Sequence, residues 1–316
     1  MARTAFLFPG QGAQYVGMGK DLAARYPASR ALYERADAAL GFALSTICFE
    51  GPEERLTATD ISQPAILVTS LAALAALRTT EAGRAIVPQA AAGLSLGEYT
   101  ALAAAGAIDF ETAVRLTSLR GRFMQGACDA QGGGMVSLIG ADEAMAEKIC
   151  GAARAAGIIW PANYNCPGQV VVSGVRAACD RVVEVAESLG AQRAIPLVVA
   201  GAFHSPLMAT AREKLAPHLR GLRVQELAFP VVANVTGDYY GGAAAAADLL
   251  ERQVDGPVRW QQGIERLLAD GFDRFYEIGP GRVLTGLLKR IDRQAGRAAV
   301  NVGTVADVEA LAGGRT

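Results

Sequence analysis

A serine that could act as a nucleophile lies in the segment GLSLG, residues 93–97, where glycines flank it on both sides. This spacing is typical of a nucleophile elbow, a tight turn from a strand into a helix that exposes the serine hydroxyl to substrate. A helix N-cap is the alternative, because serine favours that position and Glu98 follows Ser95 by three residues, as in a capping box. The motif alone favours neither interpretation.

A serine nucleophile needs an adjacent base, most often a histidine. The chain has two histidines. His218 lies in the amphipathic segment KLAPHLRGL, where a solvated imidazole is the ordinary expectation. His204 lies in GAFHSPLM, between a predicted strand and a predicted helix, and loops at such junctions often carry catalytic groups. We therefore expect His204 to be the base, with a helix-capping histidine as the alternative.

Two further features could bind negative charge. The segment FPGQGAQ, residues 8–14, lacks the third glycine of GxGxxG and the GK[ST] of a phosphate loop. Its backbone N–H groups could instead form half of an oxyanion hole, with the residue after the serine supplying the other half; a simple strand-to-helix turn is the alternative.

Arg120 is either an ordinary surface charge or, if it points inward, a partner for a substrate carboxylate.

The elements that must position these residues alternate between strand and helix patterns, which is typical of an α/β protein. Between residues 130 and 200 the predicted order becomes βαββαβ, which is that of a ferredoxin-like unit. We therefore predict a large α/β domain formed by residues 1–129 and 201–316, with a ferredoxin-like subdomain inserted at residues 130–200. The tail LAGGRT is predicted to be frayed.

Composition and charge exclude several classes of partner and site. The chain has 316 residues, 51% of them hydrophobic and 19% charged, so it can bury a sizeable core. A net charge of −1 gives no reason to expect a nucleic-acid partner. We predict no apolar run long enough to span a bilayer and no secretory signal, hence a cytoplasmic protein without a membrane partner. The scattered cysteines, none in CxxC spacing, argue against a zinc site, so no metal is expected.

Several segments, taken in order, resemble the malonyl-CoA:acyl carrier protein transacylases: FPGQGAQ, GLSLGEYTAL, LRGRFMQ, NYNCPGQVVVSG, GAFHSPLM, QVDGPVRW and YEIGPGRVLTGLLKR. The resemblance covers essentially the whole chain. It implies a hydrolase-like large domain with a parallel sheet core and a ferredoxin-like small one. It also implies a monomer that moves a malonyl group from malonyl-CoA to the phosphopantetheine thiol of an acyl carrier protein. The transfer passes through an acyl-serine, with no cofactor, and supplies fatty-acid or polyketide synthesis.

The resemblance also implies roles for individual residues. Ser95 is the nucleophile, His204 the base and Arg120 the group that binds the malonyl carboxylate. The backbone carbonyl of Gln253 orients the histidine. The backbone N–H groups of Gln11 and Leu96 form the oxyanion hole. The side chains of Asn165, Leu94 and Phe203 line the substrate cleft.

Two of these positions bear on substrate choice, and two cations bear on docking. Leu94 departs from the family, which often has histidine before the nucleophile. Since His204 can still activate the hydroxyl, we expect the chemistry to survive, and the fine acyl preference is left open. Ala202-Phe203-His204 resembles the Ala-Phe-His of related polyketide acyltransferases that use malonyl, so the resemblance implies malonyl; a bulky ring at Phe203 would occupy the space that a C2 methyl group needs. Lys289 and Arg290 are candidates for contact with the carrier or with coenzyme A phosphates, and a solvated charged face is the alternative.

Other functions use the same serine and histidine. A polyketide acyltransferase acting in trans on another acyl unit, or a serine esterase or thioesterase, would share both residues. A carrier-docking module without chemistry would not need intact Ser95, His204 and Arg120. The order of the motifs favours the malonyl transferase.

Overall fold

The computed structural model describes residues 2–313, which form two sheets with helices around them. The strands are β1 Arg3–Phe8, β2 Ala90–Gly93, β3 Gly134–Ile139, β4 Ile159–Cys166, β5 Gln169–Gly174, β6 Arg193–Pro196, β7 Val231–Ala233, β8 Asp238–Tyr239, β9 Phe272–Ile278 and β10 Val300–Val302. The helices are α1 Lys20–Arg25, α2 Pro27–Leu40, α3 Leu44–Glu50, α4 Glu53–Thr57, α5 Thr59–Thr79, α6 Glu81–Ala85, α7 Gly97–Ala104, α8 Phe110–Gln131, α9 Glu143–Ala153, α10 Arg176–Val185, α11 Ala209–Arg220, α12 Ala246–Gln253, α13 Trp260–Ala269, α14 Val283–Ile291, α15 Arg293–Ala298 and α16 Val305–Ala312.

The larger sheet has the strand order β10-β9-β1-β2-β7-β8. Its neighbouring strands run parallel from β10 to β7, and only the β7–β8 pair is antiparallel. Strand β1 is buried from Thr4 to Phe8, as expected for a parallel strand covered on both faces. The predicted α/β class with a parallel sheet core is therefore confirmed.

Helix α5 lies in the hydrophobic core beside this sheet. Within the described residues it is long and apolar enough to cross a membrane, with a mean hydropathy of 1.5, but 78% of that apolar window is buried inside the protein. The prediction that no apolar run reaches this length is therefore wrong. The burial of α5 is that of a core helix, whose all-round apolar surface contacts other elements of the fold.

The smaller sheet is antiparallel, with the strand order β4-β5-β3-β6. Along the chain its elements follow the order β3-α9-β4-β5-α10-β6, and they enclose a separate hydrophobic cluster. Two backbone bonds join it to the segment after α12: Tyr164 N–H donates to the Val258 carbonyl at 2.9 Å, and Val258 N–H donates to Ala162 at 2.8 Å. The small sheet is thus tied to the stretch of chain that carries part of the site.

The structure differs from the predicted elements mainly at short segments. Strands β6 and β7 are shorter than predicted, and the short helices α3, α4, α6 and α15 and strand β8 had no assigned segment. Helix α16 includes Leu311 and Ala312, so this part of the predicted frayed tail is wrong. A capping box between Thr304 and Asp307 and the burial of Val308 stabilise this helix. Residues 314–316 of the predicted tail lie outside the described residues.

Candidate active site

Ser95 lies in the tight turn between β2 and α7. Its φ is 54°, a left-handed backbone conformation that is uncommon for residues other than glycine. The flanking glycines are required, because a Cβ at Gly93 would lie 1.9 Å from the Gly97 backbone and one at Gly97 would lie 2.2 Å from the Phe8 carbonyl oxygen. The predicted strand-to-helix elbow is therefore present. Strained backbone of this kind is concentrated at functional sites.

The capping interpretation of Ser95 is wrong. Helix α7 begins after Leu96 and has no side-chain cap. The Ser95 N–H donates instead to the Asn234 Oδ1 atom at 2.6 Å. The Glu98 carboxylate accepts from the Asn234 N–H at 3.1 Å and from Gln253 Nε2 at 2.6 Å. The Ser95 backbone N–H and the Glu98 side chain are thus both bound by distant parts of the chain.

His204 contacts the serine directly. It lies between β6 and α11 with a φ of 56°, and its Nε2 atom lies 2.8 Å from Ser95 Oγ. Its Nδ1 atom lies 2.9 Å from the Gln253 carbonyl oxygen and 3.2 Å from that of Gly256. Because carbonyls only accept, Nδ1 carries the hydrogen and Nε2 is free to take the serine proton. Burial, reinforced by the charge of Arg120, lowers the pKa of His204 to about 4, so the imidazole is neutral at neutral pH.

His218, the other histidine, is exposed on α11, with its ring 6.0 Å from that of Phe123. It has no contact with Ser95. Of the two candidate bases, the structure therefore brings only His204 to the nucleophile.

Arg120 points inward from α8 and is only 1% exposed. One terminal nitrogen, Nη1, donates to Gln63 Oε1 at 2.7 Å. The other, Nη2, donates to Ser95 Oγ and to Gln253 Oε1, both at 3.0 Å. The Nε atom has no hydrogen-bond partner among the described residues. Burial lowers the pKa of the guanidinium, and an anion beside it would offset that cost.

The loop after β1 lies against the elbow. The Leu94 N–H donates to the Phe8 carbonyl at 3.1 Å, and a Cβ at Gly10 would lie 2.5 Å from the Leu94 carbonyl oxygen. Gln11 and Leu96 line the same cavity as Ser95. Within residues 2–313 the backbone N–H groups of Gln11 and Leu96 have no protein acceptor, so both are available to a ligand.

The cavity has a volume of about 770 Å³ and is lined by strands β3, β4 and β5 of the smaller sheet and by loops and helices around the larger one. Of the predicted site residues, those that line it are Gln11, Leu94, Ser95, Leu96, Arg120, Asn165, Phe203 and His204. Gln253 lies behind this lining, in contact with the side chains that form it. Lys289 and Arg290 lie outside the cavity on the exposed side of α14, and Arg290 donates to Gln169 at the cavity wall at 3.2 Å.

Sequence reasoning missed the residues that support this site. Gln63 is a polar residue in an apolar helix, and Asn234 follows the parallel strand β7, where functional side chains commonly lie. Both were detectable signals. Glu98 was considered only as part of a cap, and burial raises the pKa of its carboxyl group to about 7.

Comparisons with known proteins agree with this geometry. Residues 5–310 match the family described as the acyl transferase domain. The malonyl CoA-acyl carrier protein transacylase of Bacillus subtilis is 43% identical over 302 residues, covering 95% of this chain and 94% of the relative. The crystal structure of that enzyme from Clostridium perfringens has a TM-score of 0.91 and 38% identity, with 98% of this chain and 95% of that one covered.

A further solved structure is a malonyl-transacylase in complex with a type II PKS acyl-carrier protein. It has a TM-score of 0.92 and 38% identity and covers 99% of this chain and 100% of that chain. The elbow serine beside a histidine, in a chain that matches the acyl transferase domain over residues 5–310, defines an acyltransferase. The chain belongs to the acyl transferase family, and the relatives that span nearly all of it are malonyl CoA-acyl carrier protein transacylases.

Proposed function

We propose that this protein transfers a malonyl group from malonyl-CoA to the phosphopantetheine thiol of an acyl carrier protein, and so supplies fatty-acid or polyketide synthesis. The observation that carries the proposal is the Arg120 guanidinium, buried and 3.0 Å from Ser95 Oγ. A malonyl group attached to that oxygen would bring its free carboxylate within reach of the guanidinium. The relatives' printed names support the same donor and acceptor.

In the first half-reaction Ser95 Oγ attacks the thioester carbonyl of malonyl-CoA while His204 Nε2 takes its proton. The negative charge on the carbonyl oxygen is stabilised by the backbone N–H groups of Gln11 and Leu96. The carbon–sulfur bond then breaks, and the coenzyme A sulfur leaves with the proton from His204. The Gln253 carbonyl stabilises the imidazolium that forms in between, because it accepts from Nδ1 at 2.9 Å.

In the second half-reaction the carrier thiol replaces coenzyme A. His204 takes the thiol proton, the sulfur attacks the acyl-serine, and the proton passes to Ser95 Oγ as the malonyl group leaves. Kinetics of the ping-pong type follow, and the two half-reactions need no metal or redox cofactor.

Substrate choice depends on charge and on shape. A malonyl carboxylate pairs with Arg120, whereas an acetyl group leaves this buried cation unpaired. Phe203, only 7% exposed, lines the cavity beside His204, and its ring limits the space for a C2 methyl group. Leu94 and Asn165 complete the acyl-binding wall. Malonyl is therefore preferred over acetyl and over methylmalonyl.

The finer description of the fold is part of the same proposal. The large domain, residues 1–129 and 201–316, is hydrolase-like, and residues 130–200 form a ferredoxin-like subdomain. The ferredoxin-like assignment is supported by the spatial strand order β4-β5-β3-β6 and by the helices α9 and α10, which follow β3 and β5 along the chain. The boundary near residue 130 is supported by the end of α8 at Gln131, just before β3 begins.

Acyl carrier proteins are usually acidic, so we place the docking of the carrier beside exposed cations of α14. Lys289 and Arg290 are exposed there, on the helix whose Val283 and Leu287 line the cavity. Charge reversal at both cations should slow the second half-reaction and weaken its dependence on salt, while the first is unaffected. We further propose that the protein is a cytoplasmic monomer, without a nucleic-acid or membrane partner.

Intact-protein mass spectrometry tests the function directly. Brief mixing with malonyl-CoA, acetyl-CoA and methylmalonyl-CoA in separate reactions should give a malonyl adduct on the wild type and none on Ser95→Ala. A wild type that forms no malonyl adduct, or that carries another acyl group instead, contradicts the proposal. An adduct that hydrolyses as fast in the presence of a carrier as in its absence would indicate an esterase or thioesterase.

A further inference from the structure

One side chain, that of Gln253, connects the buried groups of the site. Its Oε1 atom accepts from Arg120 Nη2 at 3.0 Å. Its Nε2 atom donates to the Ser95 carbonyl at 2.8 Å and to Glu98 Oε2 at 2.6 Å. The two ends of an amide are not equivalent, because the oxygen only accepts and the nitrogen only donates. Arg120 is held correctly only while the amide oxygen faces it.

Glu98 faces the other end of this amide. Its carboxylate is fully buried and accepts hydrogen bonds from Gln253 Nε2, the Asn234 N–H and the Tyr240 hydroxyl. Three donors on two oxygens favour the ionised form, against the burial that raises its pKa to about 7. Among the described residues it has no cation within salt-bridge distance. An ionised carboxylate only accepts, so it requires the NH₂ end of Gln253 to point toward it.

We infer that Glu98 is a positioning residue, which acts through the Gln253 amide to hold Arg120 in place for a substrate carboxylate. This role rests on the proposed malonyl transfer. A reversed amide would turn its NH₂ group toward the Arg120 guanidinium and its oxygen toward Glu98 and the Ser95 carbonyl. Donor would then face donor and acceptor would face acceptor, and each contact would be unfavourable in a buried site. Glu98 therefore fixes the amide, and the amide fixes Arg120.

The test measures the ratio of malonyl to acetyl acylation of Ser95 in single turnovers at pH 8, above the pKa of about 7 for Glu98. Glu98→Leu removes the acceptor and should lower that ratio by about tenfold or more, since Arg120 serves malonyl only. Glu98→Gln should keep the ratio within about threefold of wild type, because its amide oxygen can still accept from Gln253. Arg122→Ala is the control: its side chain is exposed on α8 and has no hydrogen bond to Glu98 or Gln253, so the ratio should not change.

A structural role for Glu98 predicts a different pattern. It would lower malonyl and acetyl acylation equally, in parallel with the loss of folded protein seen by circular dichroism. A folded Glu98→Leu protein with the wild-type ratio would overturn the inference, as would an equal loss in Glu98→Gln. If Glu98→Leu does not fold, Glu98→Asp replaces it, because the shorter side chain withdraws from Gln253 and should also lower the ratio.

A double-mutant cycle separates this route from others. Gln253→Leu keeps the backbone carbonyl that binds His204 but removes the amide, and it should lower the ratio as Glu98→Leu does. Adding Glu98→Leu to it should change the ratio by less than about twofold, because Glu98 acts through that amide. Additive losses would refute this route. A wild type without a malonyl adduct would refute the proposed function itself, whereas a wild-type adduct with unaltered Glu98 variants would refute only the positioning role.

Discussion

The starts of helices α7 and α16 share a sequence pattern but differ in structure. Each has a hydroxyl residue before the helix and a carboxylate three positions later in its first turn: Ser95 and Glu98 at α7, Thr304 and Asp307 at α16. Thr304 is extended, with a φ of −135°, and exchanges hydrogen bonds with Asp307 in a true capping box. Ser95 has a φ of 54°, and neither it nor Glu98 caps α7.

The difference shows what decides whether such a hydroxyl–carboxylate pair caps its helix. At α16 the residue pair satisfies the helix start locally. At α7 distant groups take both side chains: His204 and Arg120 contact the serine hydroxyl, and Gln253 contacts the carboxylate. The left-handed backbone turns the hydroxyl away from the helix and leaves the Leu96 N–H available to a ligand. The same pattern thus serves stability at one helix and chemistry at the other.

The largest effect is expected from Ser95→Ala. Removal of the hydroxyl should reduce acylation by malonyl-CoA by at least about 10⁴-fold, because among the described residues no other hydroxyl has a hydrogen bond to the His204 ring. Stopped reactions analysed by mass spectrometry measure the rate, and circular dichroism confirms that the variant is folded. Retention of the wild-type loading rate would contradict the role of Ser95 and remove the contrast between the two helix starts.

Arg120→Ala should separate two substrates. Malonyl acylation should fall by about 10- to 100-fold, the value of a charged hydrogen bond, while acetyl acylation is kept or gained. The matched control is Arg122→Ala, because Arg122 lies two residues along α8 and is exposed. Single-turnover rates with each coenzyme A ester measure the effect. Equal losses for both substrates would mean that Arg120 is structural.

The pH dependence of acylation reports the burial of His204. Burial and the charge of Arg120 lower its pKa to about 4, and only the neutral imidazole can accept the serine proton. The rate limited by this base should therefore be unchanged from pH 7 down to about 5 and fall about tenfold per unit below pH 4. His218→Ala should leave the profile unchanged. A decline centred near pH 6.5 would show that His204 is more hydrated than its contacts imply.

The sequence predicted local patterns better than it predicted contacts between distant residues. The elbow was one of two interpretations that the glycines at positions 93 and 97 and the following helix allowed. The choice of His204 over His218 also followed from sequence position. The ambiguity at Ser95 could not be resolved locally, because the residues that decide it, such as Asn234 and Gln253, lie more than 130 positions away.

Other features depended on the family or on tertiary structure. The role of the Gln253 carbonyl came only from resemblance, since no residue type or spacing marks a backbone acceptor. Its side-chain contacts with Arg120 and Glu98 were not predicted, because they form between separate helices. Helix α16 was missed although its capping pattern was visible, since a short helix near the end of the chain is stabilised mainly by packing.

The smallest effect is expected from Thr304→Ala, and it completes the contrast. Loss of the cap should lower the free energy of unfolding by about 1 kcal/mol, as measured by chemical denaturation, while Thr304→Ser should retain most of it. Malonyl acylation should not change, because no residue of α16 lines the active-site cavity. A loss of acylation would mean that α16 is coupled to the site. If stability falls and acylation does not, the two similar helix starts can be altered independently, as expected when one caps a helix and the other performs chemistry.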